Sequence, residues 1–253
     1  MLKTKRIKQI QEYVFEHQTA SLDELVNVFD VSKNTIRRDV QELVERGELK
    51  KVYGGVAVNH TTLEPFNDRI TRHQQEKTLI AKAAASYVED GDIIFIDSGT
   101  TTLEMIEFLK NKQLTIITNN FDFMIDSFPF PGLNVISTGG MLERKTKSFA
   151  SFKNIELLKS YNINKAFMAS TGISIANGVT NSSPLESEIK QVVVEKSSEI
   201  FLLVDHYKFD KYALMTYCSL DQIHYLVTDT MPDNTYQEYV REHDIQLIIA
   251  DRE

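Results

Sequence analysis

Apolar side chains recur at helical spacing in three short segments at the start of the chain. The first segment predicts a helix over residues 3–17, with apolar positions at Ile7, Ile10, Val14 and Phe15. Ser21 and Glu24 have the spacing of a capping box, in which each side chain accepts a hydrogen bond from the other's amide. They predict a second helix that ends near Asp30, and Ser32 can cap a third.

The third helix has two chemically different faces. Its apolar positions should face the core: Ile36, Val40, Leu43 and Val44. Asn34, Arg37, Arg38 and Gln41 fall on another face, and Lys33 lies at the helix start. An arginine guanidinium can donate two hydrogen bonds to the acceptors of guanine, and an asparagine amide can pair with adenine. This face therefore suits the major groove of DNA. The alternative interpretation is an ordinary solvated, charged helix face.

A short hairpin should follow the third helix. Gly47 is predicted to end the helix, and residues 49–58 predict a small wing. Lys50 and Lys51 on this wing are candidates for contacts with backbone phosphates. Short helices, a tight turn, a polar helix face and a wing together favour DNA binding over a merely solvated surface.

Two runs of this region resemble the signature of the DeoR family of transcriptional regulators, namely Val31 to Val40 and Tyr53-Gly54-Gly55. The resemblance implies a winged helix-turn-helix. It also implies that operator DNA is contacted by Ser32, Lys33, Thr35, Arg37 and Arg38. Asp39, by contrast, is expected to orient an arginine or a neighbouring helix rather than to touch DNA.

From residue 76 onward, continuous apolar runs alternate with helix-compatible stretches, and such runs suit strands buried on both faces. The runs cover residues 93–96, 114–117, 133–136, 166–168, 200–204, 225–227 and 245–249. They predict an α/β domain with a mainly parallel sheet. Residues 59–75 lack clean periodicity, and Pro65 should interrupt a helix there. We therefore expect a DNA-binding domain at 1–58, a linker at 59–75 and an α/β domain at 76–253.

Small polar residues follow several predicted strands, at the edge where open α/β sheets bind ligands. In the loop after the first run, a glycine permits close backbone approach, and hydroxyls and amides can bind phosphate oxygens. The sequence has neither a Walker loop nor a Gly-x-Gly-x-x-Gly run, so a small phosphorylated metabolite fits better than a nucleotide. The candidate effector-binding residues are Asp97, Ser98, Gly99, Thr100, Thr101, Thr102, Thr118, Asn119, Gly139, Gly140, Gly172, Lys190 and Lys208.

This second part also resembles the effector domain of the DeoR family, through landmarks such as Asp90-Gly91-Asp92 and Asp205-x-x-Lys208. The resemblance implies a fold shared with ribose-phosphate isomerases and a domain that senses a sugar phosphate without catalysis. The run Tyr161 to Met168 is most similar to the branch that controls inositol breakdown. That branch implies a repressor of a carbohydrate operon, released by a phosphorylated sugar or inositol-derived acid. Ser151 stands where the family usually has glycine, which leaves the loop conformation there open.

Charge and composition refine this interpretation. The net charge of −8 argues by itself against a polyanion binder, but residues 1–58 hold ten Lys and Arg against nine Asp and Glu. The acidic surplus therefore belongs to the second part. The single cysteine, Cys218, excludes a disulfide framework and should be a small core residue. Without a signal-peptide core or a membrane-spanning run, we expect a cytoplasmic protein with no membrane partner.

Other functions remain open at this stage. An isomerase-like enzyme with an appended DNA-binding domain would need a base, for which Glu186 or Asp205 is a candidate, although no motif demands that role. A transcriptional activator is a further alternative. The histidines lack metal-ligand spacing, so no metal or cofactor is expected. A homo-oligomer, dimer or tetramer, would place two winged helices on operator DNA.

Overall fold

The computed structural model describes residues 3–17, 19–46, 48–58 and 65–251, and the chain divides into two compact units, Met1–Thr62 and Leu63–Glu253. The helices of the first unit are α1 (Lys3–His17), α2 (Leu22–Phe29) and α3 (Lys33–Glu45). Its strands are β1 (Thr19–Ser21), β2 (Leu49–Val52) and β3 (Gly55–Val58), which form an antiparallel sheet in the order β1-β3-β2. The predicted winged helix-turn-helix is confirmed, whereas β1 was not expected from the sequence.

Local hydrogen bonds define where the helices of the first unit begin. The Ser21 hydroxyl accepts from the Glu24 amide at 3.1 Å, and the Glu24 carboxylate accepts from the Ser21 amide at 3.2 Å, as the capping box predicted. The Ser32 hydroxyl caps α3 by accepting from the Thr35 amide at 3.2 Å. Between these helices, Asp30 takes a left-handed conformation with φ +49°, which makes the turn tight. Gly47, expected to end α3, lies outside the described residues.

The second unit contains longer and more varied elements. Its helices are α4 (Phe66–Ile70), α5 (Gln74–Ala85), α6 (Thr100–Leu103), α7 (Ile106–Leu109), α8 (Phe121–Asp126), α9 (Phe152–Leu158), α10 (Pro184–Lys196) and α11 (Asn234–Glu242). Its strands are β4 (Ile93–Ile96), β5 (Leu114–Thr118), β6 (Leu133–Ser137), β7 (Met141–Glu143), β8 (Ser148–Ala150), β9 (Ile163–Ala169), β10 (Gly172–Ser174), β11 (Gly178–Asn181), β12 (Ser197–Leu203), β13 (Met215–Cys218), β14 (Tyr225–Thr228) and β15 (Gln246–Ile249). Among the described helices, none has the length and apolar content to span a membrane.

A parallel sheet forms the centre of the second unit, in the order β15-β14-β12-β9-β4-β5-β6. Each predicted apolar run overlaps one of these strands, so the expected parallel α/β fold is confirmed. Neighbouring strand residues point to different hydrophobic cores: Phe95 packs in one, and Ile94 and Ile96 pack in the other. Because both faces are covered, these strands are apolar throughout rather than alternating.

The strand order reverses direction at β4. The chain runs from β4 outward through β5 and β6, and it then returns to place β9 on the other side of β4. From β9 it continues outward through β12, β14 and β15. The carboxyl ends of β4 and β9 therefore form the switch point at which open α/β sheets bind ligands.

Two small antiparallel sheets complete the unit. One has the order β10-β11-β13 and holds the buried Cys218, a core residue as expected. The other is the hairpin of β7 and β8. In this hairpin the left-handed residue is Lys147, with φ +51°, and Ser151 is absent from the positive-φ residues of the described chain. A serine at position 151 is therefore free of the backbone strain that its replacement of glycine suggested.

The stretch assigned to the linker contains the short helix α4. Pro65 directly precedes this helix, where its fixed φ and missing amide hydrogen are tolerated, so it begins a helix instead of interrupting one. Phe66 is only 1% exposed and packs in the core of the second unit. Residues 65–75 are thus folded as part of that unit, and residues 59–64 lie outside the described chain.

Candidate functional site

The N-terminal half of α3 presents polar side chains to solvent. Asn34, Arg37 and Arg38 are all exposed. Neither arginine has an ion-pair partner in the part of the chain that the structure describes. Two unneutralised guanidinium groups on one exposed helix end are suited to bind an anionic or acceptor-rich surface.

Other predicted DNA contacts have local partners in the free chain. The hydroxyls of Ser32 and Thr35 lie 2.9 Å apart, within hydrogen-bond distance. Lys33 Nζ is 2.5 Å from Asp23 Oδ1, and the two side chains are 45% and 75% exposed. Exposed ion pairs contribute little free energy, so a phosphate group can replace Asp23 at little cost.

The wing lies beside α3 and adds further positive charge. Lys50 and Lys51 of β2 are exposed. A groove of about 900 Å³ runs between the wing and the helix, and its lining includes Arg37, Arg38, Lys51 and Val52. The structure therefore brings Arg37 and Arg38 of α3 and Lys51 of the wing to a single groove, whereas Lys33 is not among its lining residues.

Asp39 lies on the opposite side of α3 and is buried, with 1% exposure. Its carboxylate accepts hydrogen bonds from Arg6 Nε at 2.6 Å and from Arg6 Nη2 at 3.3 Å. This ion pair links α3 to α1 and so helps to orient the helix that carries Arg37 and Arg38. The prediction that Asp39 orients an arginine is confirmed.

A second candidate site occupies the switch point between β4 and β9. This pocket is lined by Arg69, Arg72, His73, Lys77, Gly99, Thr100, Thr101, Ala169, Ser170, Asp205 and Lys208. Four of these side chains are Lys or Arg, whereas Asp205 is the acidic member among the described lining residues. Such an excess of positive charge in a recess is suited to a small anion.

The electrostatics of Lys77 show how closely the positive groups are packed. Burial and the nearby charge of Lys208 lower the pKa of Lys77 to about 7. Its Nζ donates a hydrogen bond to the carbonyl oxygen of Arg69. The pKa of His73 is also lowered, chiefly by burial, and its ring stacks on Tyr207 with centroids 3.9 Å apart. An anion in the pocket would relieve the repulsion that disfavours the charged form of Lys77.

Lys190 and Asp97 form a buried ion pair beside the pocket. Lys190 Nζ also donates to the carbonyl oxygen of Ala169 at 3.0 Å, and Asp97 Oδ2 accepts from the Ala169 amide at 2.9 Å. Lys190 was predicted from the sequence to bind the effector, but its charge has an internal counter-ion in Asp97. Lys208, in contrast, lines the pocket directly.

Several other predicted residues shape the strand ends. The Thr102 hydroxyl donates to the Asp97 carbonyl oxygen at 2.7 Å, and the Thr118 hydroxyl donates to that of Ile96 at 2.6 Å. A Cβ at Gly99 would lie 2.3 Å from the Ala169 Cβ, so glycine is required for β4 and β9 to approach here. Nine predicted positions are not among the pocket-lining residues: Asp97, Ser98, Thr102, Thr118, Asn119, Gly139, Gly140, Gly172 and Lys190.

Four residues at the strand ends have buried side-chain polar atoms without hydrogen-bond partners within the described residues. The atoms are Asp97 Oδ1, both side-chain polar atoms of Asn119, Thr138 Oγ1 and Ser170 Oγ. Each residue directly follows one of four adjacent strands, in the sheet order β9-β4-β5-β6. Buried polar atoms are normally satisfied, so a row of them is suited to hydrogen bonds with water or with a hydroxylated ligand.

Sequence reasoning missed three of the four Lys and Arg side chains that line the pocket, together with its histidine. Arg69, Arg72, His73 and Lys77 were not among the candidates, because they fall within or next to the stretch assigned to the linker. Arg69 and Arg72 are three residues apart and His73 and Lys77 are four apart, and these spacings, which make side chains neighbours on a helix, were an available signal. Of the candidates that were chosen, Gly99, Thr100, Thr101 and Lys208 line the pocket.

Comparison with known proteins gives the family. Residues 6–62 match the DeoR-like helix-turn-helix domain, and residues 72–230 match the DeoR C terminal sensor domain. The chain is 45% identical over 251 residues to the HTH-type transcriptional regulator IolR of Bacillus subtilis (strain 168), covering 98% of this chain and 100% of that protein. It is 28% identical over 249 residues to the glycerol-3-phosphate regulon repressor of Escherichia coli (strain K12), covering 98% and 99% respectively.

Among solved structures, a D-ribose-5-phosphate isomerase in complex with phospho-erythronic acid is similar with a TM-score of 0.41 and 14% identity, covering 54% of each chain. The full-length relatives named above are regulators of transcription rather than enzymes. Both halves of the chain match domains of one regulator family, in the order that the sequence predicted. The chain belongs to the DeoR family of transcriptional regulators.

Proposed function

We propose that this chain represses a carbohydrate catabolic operon and that a phosphorylated metabolite, bound in the second unit, releases it from operator DNA. The observation that carries the proposal is the pocket between β4 and β9. There Arg69, Arg72, Lys77 and Lys208 line a small recess that contains Asp205 as its acidic group. A phosphate group is compact, doubly charged and rich in acceptors, so it matches this lining.

The exposed side chains of the first unit support binding to the major groove. In this arrangement Asn34, Arg37 and Arg38 face base edges, because amide and guanidinium groups match adenine and guanine. Backbone phosphates are then contacted by Ser32, Lys33, Thr35, Lys50 and Lys51. The ion pair of Asp39 with Arg6 keeps α3 rigid on its support while it binds.

The unpartnered atoms at the strand ends support a hydroxylated carbon chain as the remainder of the effector. A ligand hydroxyl can both donate and accept, so it can satisfy Asp97 Oδ1, Asn119 and Ser170. Each such bond removes the penalty of an unsatisfied buried group. The similarity of Tyr161 to Met168 to the inositol branch of the family supports a phosphorylated acid from inositol breakdown.

Release of DNA requires the effector to bind one arrangement of the protein better than another. A homo-oligomer, dimer or tetramer, places two winged helices at a spacing fixed by its two-fold symmetry. An effector that favours a different spacing then lowers the affinity for the operator. By linkage, operator DNA lowers the affinity for the effector by the same factor.

The test uses the purified full-length chain and duplexes that it selects from a random-sequence library. Gel shifts are titrated with phosphorylated inositol-derived acids, pentose phosphates and hexose phosphates, together with their unphosphorylated counterparts. We expect at least one phosphorylated compound to release the DNA and its unphosphorylated form to have no effect.

A Lys208→Ala variant should need a higher concentration of the releasing compound, whereas Lys82→Ala, with an exposed lysine on α5, should behave as the wild type. Stable DNA complexes that no phosphorylated compound releases would contradict the effector assignment. Transcription in vitro from a promoter that overlaps the selected site should fall when the protein binds, and a rise would contradict repression.

A further inference from the structure

Tyr53, at the tip of the wing, has a fully exposed side chain. Its neighbour Val52 is also exposed. An aromatic ring held entirely in water loses the free energy that its burial would provide. A ring placed there by the fold is therefore available to a binding partner.

Three features hold the turn that carries Tyr53: a backbone conformation, a hydrogen bond and a close contact between strands. Gly54 has φ +79°, which favours glycine, and its carbonyl oxygen accepts a hydrogen bond from the Leu22 amide at 3.2 Å. Next to it, a Cβ at Gly55 would lie 2.2 Å from the carbonyl oxygen of Ala20, so β3 lies tightly against β1. The ring thus projects from a rigid hairpin rather than from a loose loop.

The surroundings of the tip identify its partner. Lys50 and Lys51 precede Tyr53 on β2, and the groove between wing and α3 is lined by Arg37 and Arg38. This positive groove can hold one phosphate backbone of a duplex whose major groove receives α3. The tip lies on the wing side of that backbone, where the next feature of B-DNA is a minor groove about 6 Å wide.

We propose that Tyr53 enters this minor groove and selects A·T pairs on the flank of the operator half-site. The inference rests on the proposed DNA-binding function and adds a second point of readout to it. The flat ring packs between the sugar walls, and its hydroxyl donates to adenine N3 or thymine O2. At a G·C pair, the guanine amino group occupies this space, so the ring cannot reach the acceptors on the floor of the groove.

The test measures binding of the full-length chain to selected duplexes by fluorescence anisotropy. Flanking A·T pairs are replaced by G·C or by inosine·C, which lacks the minor-groove amino group but keeps the major-groove pattern of G·C. We expect wild type to lose about tenfold in affinity on G·C, the effect of one poor base pair, and to bind inosine·C as it binds A·T. Tyr53→Ala should bind all three duplexes with equal, reduced affinity.

Matched variants separate this role from general attraction to DNA. Tyr53→Phe should keep the ring packing and bind more tightly than Tyr53→Ala. Lys51→Ala should lower the salt dependence by about one ion yet keep the preference for A·T. If Tyr53→Ala discriminates among the duplexes as wild type does, the minor-groove role is wrong. Loss of affinity in Arg37→Ala in that same experiment would leave the proposed DNA-binding function standing, and full affinity there would overturn both.

Discussion

Lys190 on α10 forms a buried ion pair with Asp97 at the carboxyl end of β4. The two residues are 2% and 0% exposed, and both side chains also form hydrogen bonds with the backbone of Ala169 at the end of β9. Ala169 lines the pocket between β4 and β9, so the pair supports the backbone from which this pocket is built. The charge of Lys190 therefore stabilises the backbone at the switch point.

Replacing Lys190 with methionine should destabilise the second unit strongly. The substitution keeps the length of the side chain but leaves the Asp97 carboxylate buried without its counter-ion, which costs about 3–5 kcal/mol. Urea unfolding of the full chain, followed by circular dichroism, measures the loss. Lys196→Met, at the exposed end of the same helix, is the control and should change stability little. A loss of similar size in both variants would show that the ion pair has no special role.

Removing either exposed arginine of α3 should weaken operator binding. Arg37→Ala or Arg38→Ala is expected to lose about 1–3 kcal/mol of binding free energy where that arginine forks onto a guanine. Gel-shift titration measures the loss. Lys8→Ala, which removes an exposed charge from α1, should retain the affinity. Unchanged binding in both arginine variants would rule out α3 as the recognition helix.

The affinity of the pocket for a divalent anion should fall between pH 6.5 and 8. Burial and Lys208 lower the pKa of Lys77 to about 7, so this side chain loses its positive charge across the interval. Inorganic sulfate is the probe, because its charge stays constant there whereas a phosphate monoester would titrate. Calorimetry should show weaker binding at the higher pH.

Lys77→Met tests the origin of this pH dependence. The variant should bind sulfate weakly and with little change over the same interval, since burial lowers the pKa of the pocket's histidine, His73, below its usual 6.5. Lys82→Met, with an exposed side chain on α5, should retain the wild-type pH profile. The same pH dependence in Lys77→Met and wild type would assign the titration to another group.

Loss of the capping box should destabilise the first unit. Ser21→Ala removes the acceptor for the Glu24 amide and should cost about 1 kcal/mol, measured by urea unfolding at pH 7. Thr4→Ala, which removes an exposed hydroxyl from α1, is the matched control. Equal stability in the Ser21 and Thr4 variants would show that the cap contributes nothing.

The stability that the Glu24 carboxylate contributes to the same capping box should depend on pH. Hydrogen bonds from the Tyr13 hydroxyl and the Ser21 amide lower the pKa of Glu24 below its usual 4.5. The stabilisation is therefore present above the unfolded-state pKa and lost as the pH falls through the lower folded-state pKa. Glu24→Gln should consequently lose more stability relative to wild type at pH 7 than at pH 3. An equal loss at both pH values would assign the effect to something other than the carboxylate charge.

The sequence by itself determined the local elements of this protein. The capping box of Ser21 and Glu24, the cap of α3 at Ser32 and the polar face with Arg37 each depend on residues within one or two helical turns. The seven apolar runs likewise specified strands, because burial on both faces leaves little room for polar side chains. A pattern of near neighbours was enough for the winged helix-turn-helix and for the parallel α/β class.

Only the tertiary structure decided which of these elements meet. Lys190 and Asp97 are 93 residues apart in the chain, and nothing in the periodicity of either segment indicates that they pair. The pocket likewise joins Arg69 and Lys77, near the start of the second unit, to Lys208. Strand order is set by how the whole chain packs, since every buried strand in such a sheet has the same apolar character. The sequence therefore indicated the edge of the sheet at which we propose that a ligand binds, and the fold determined which charges surround that edge.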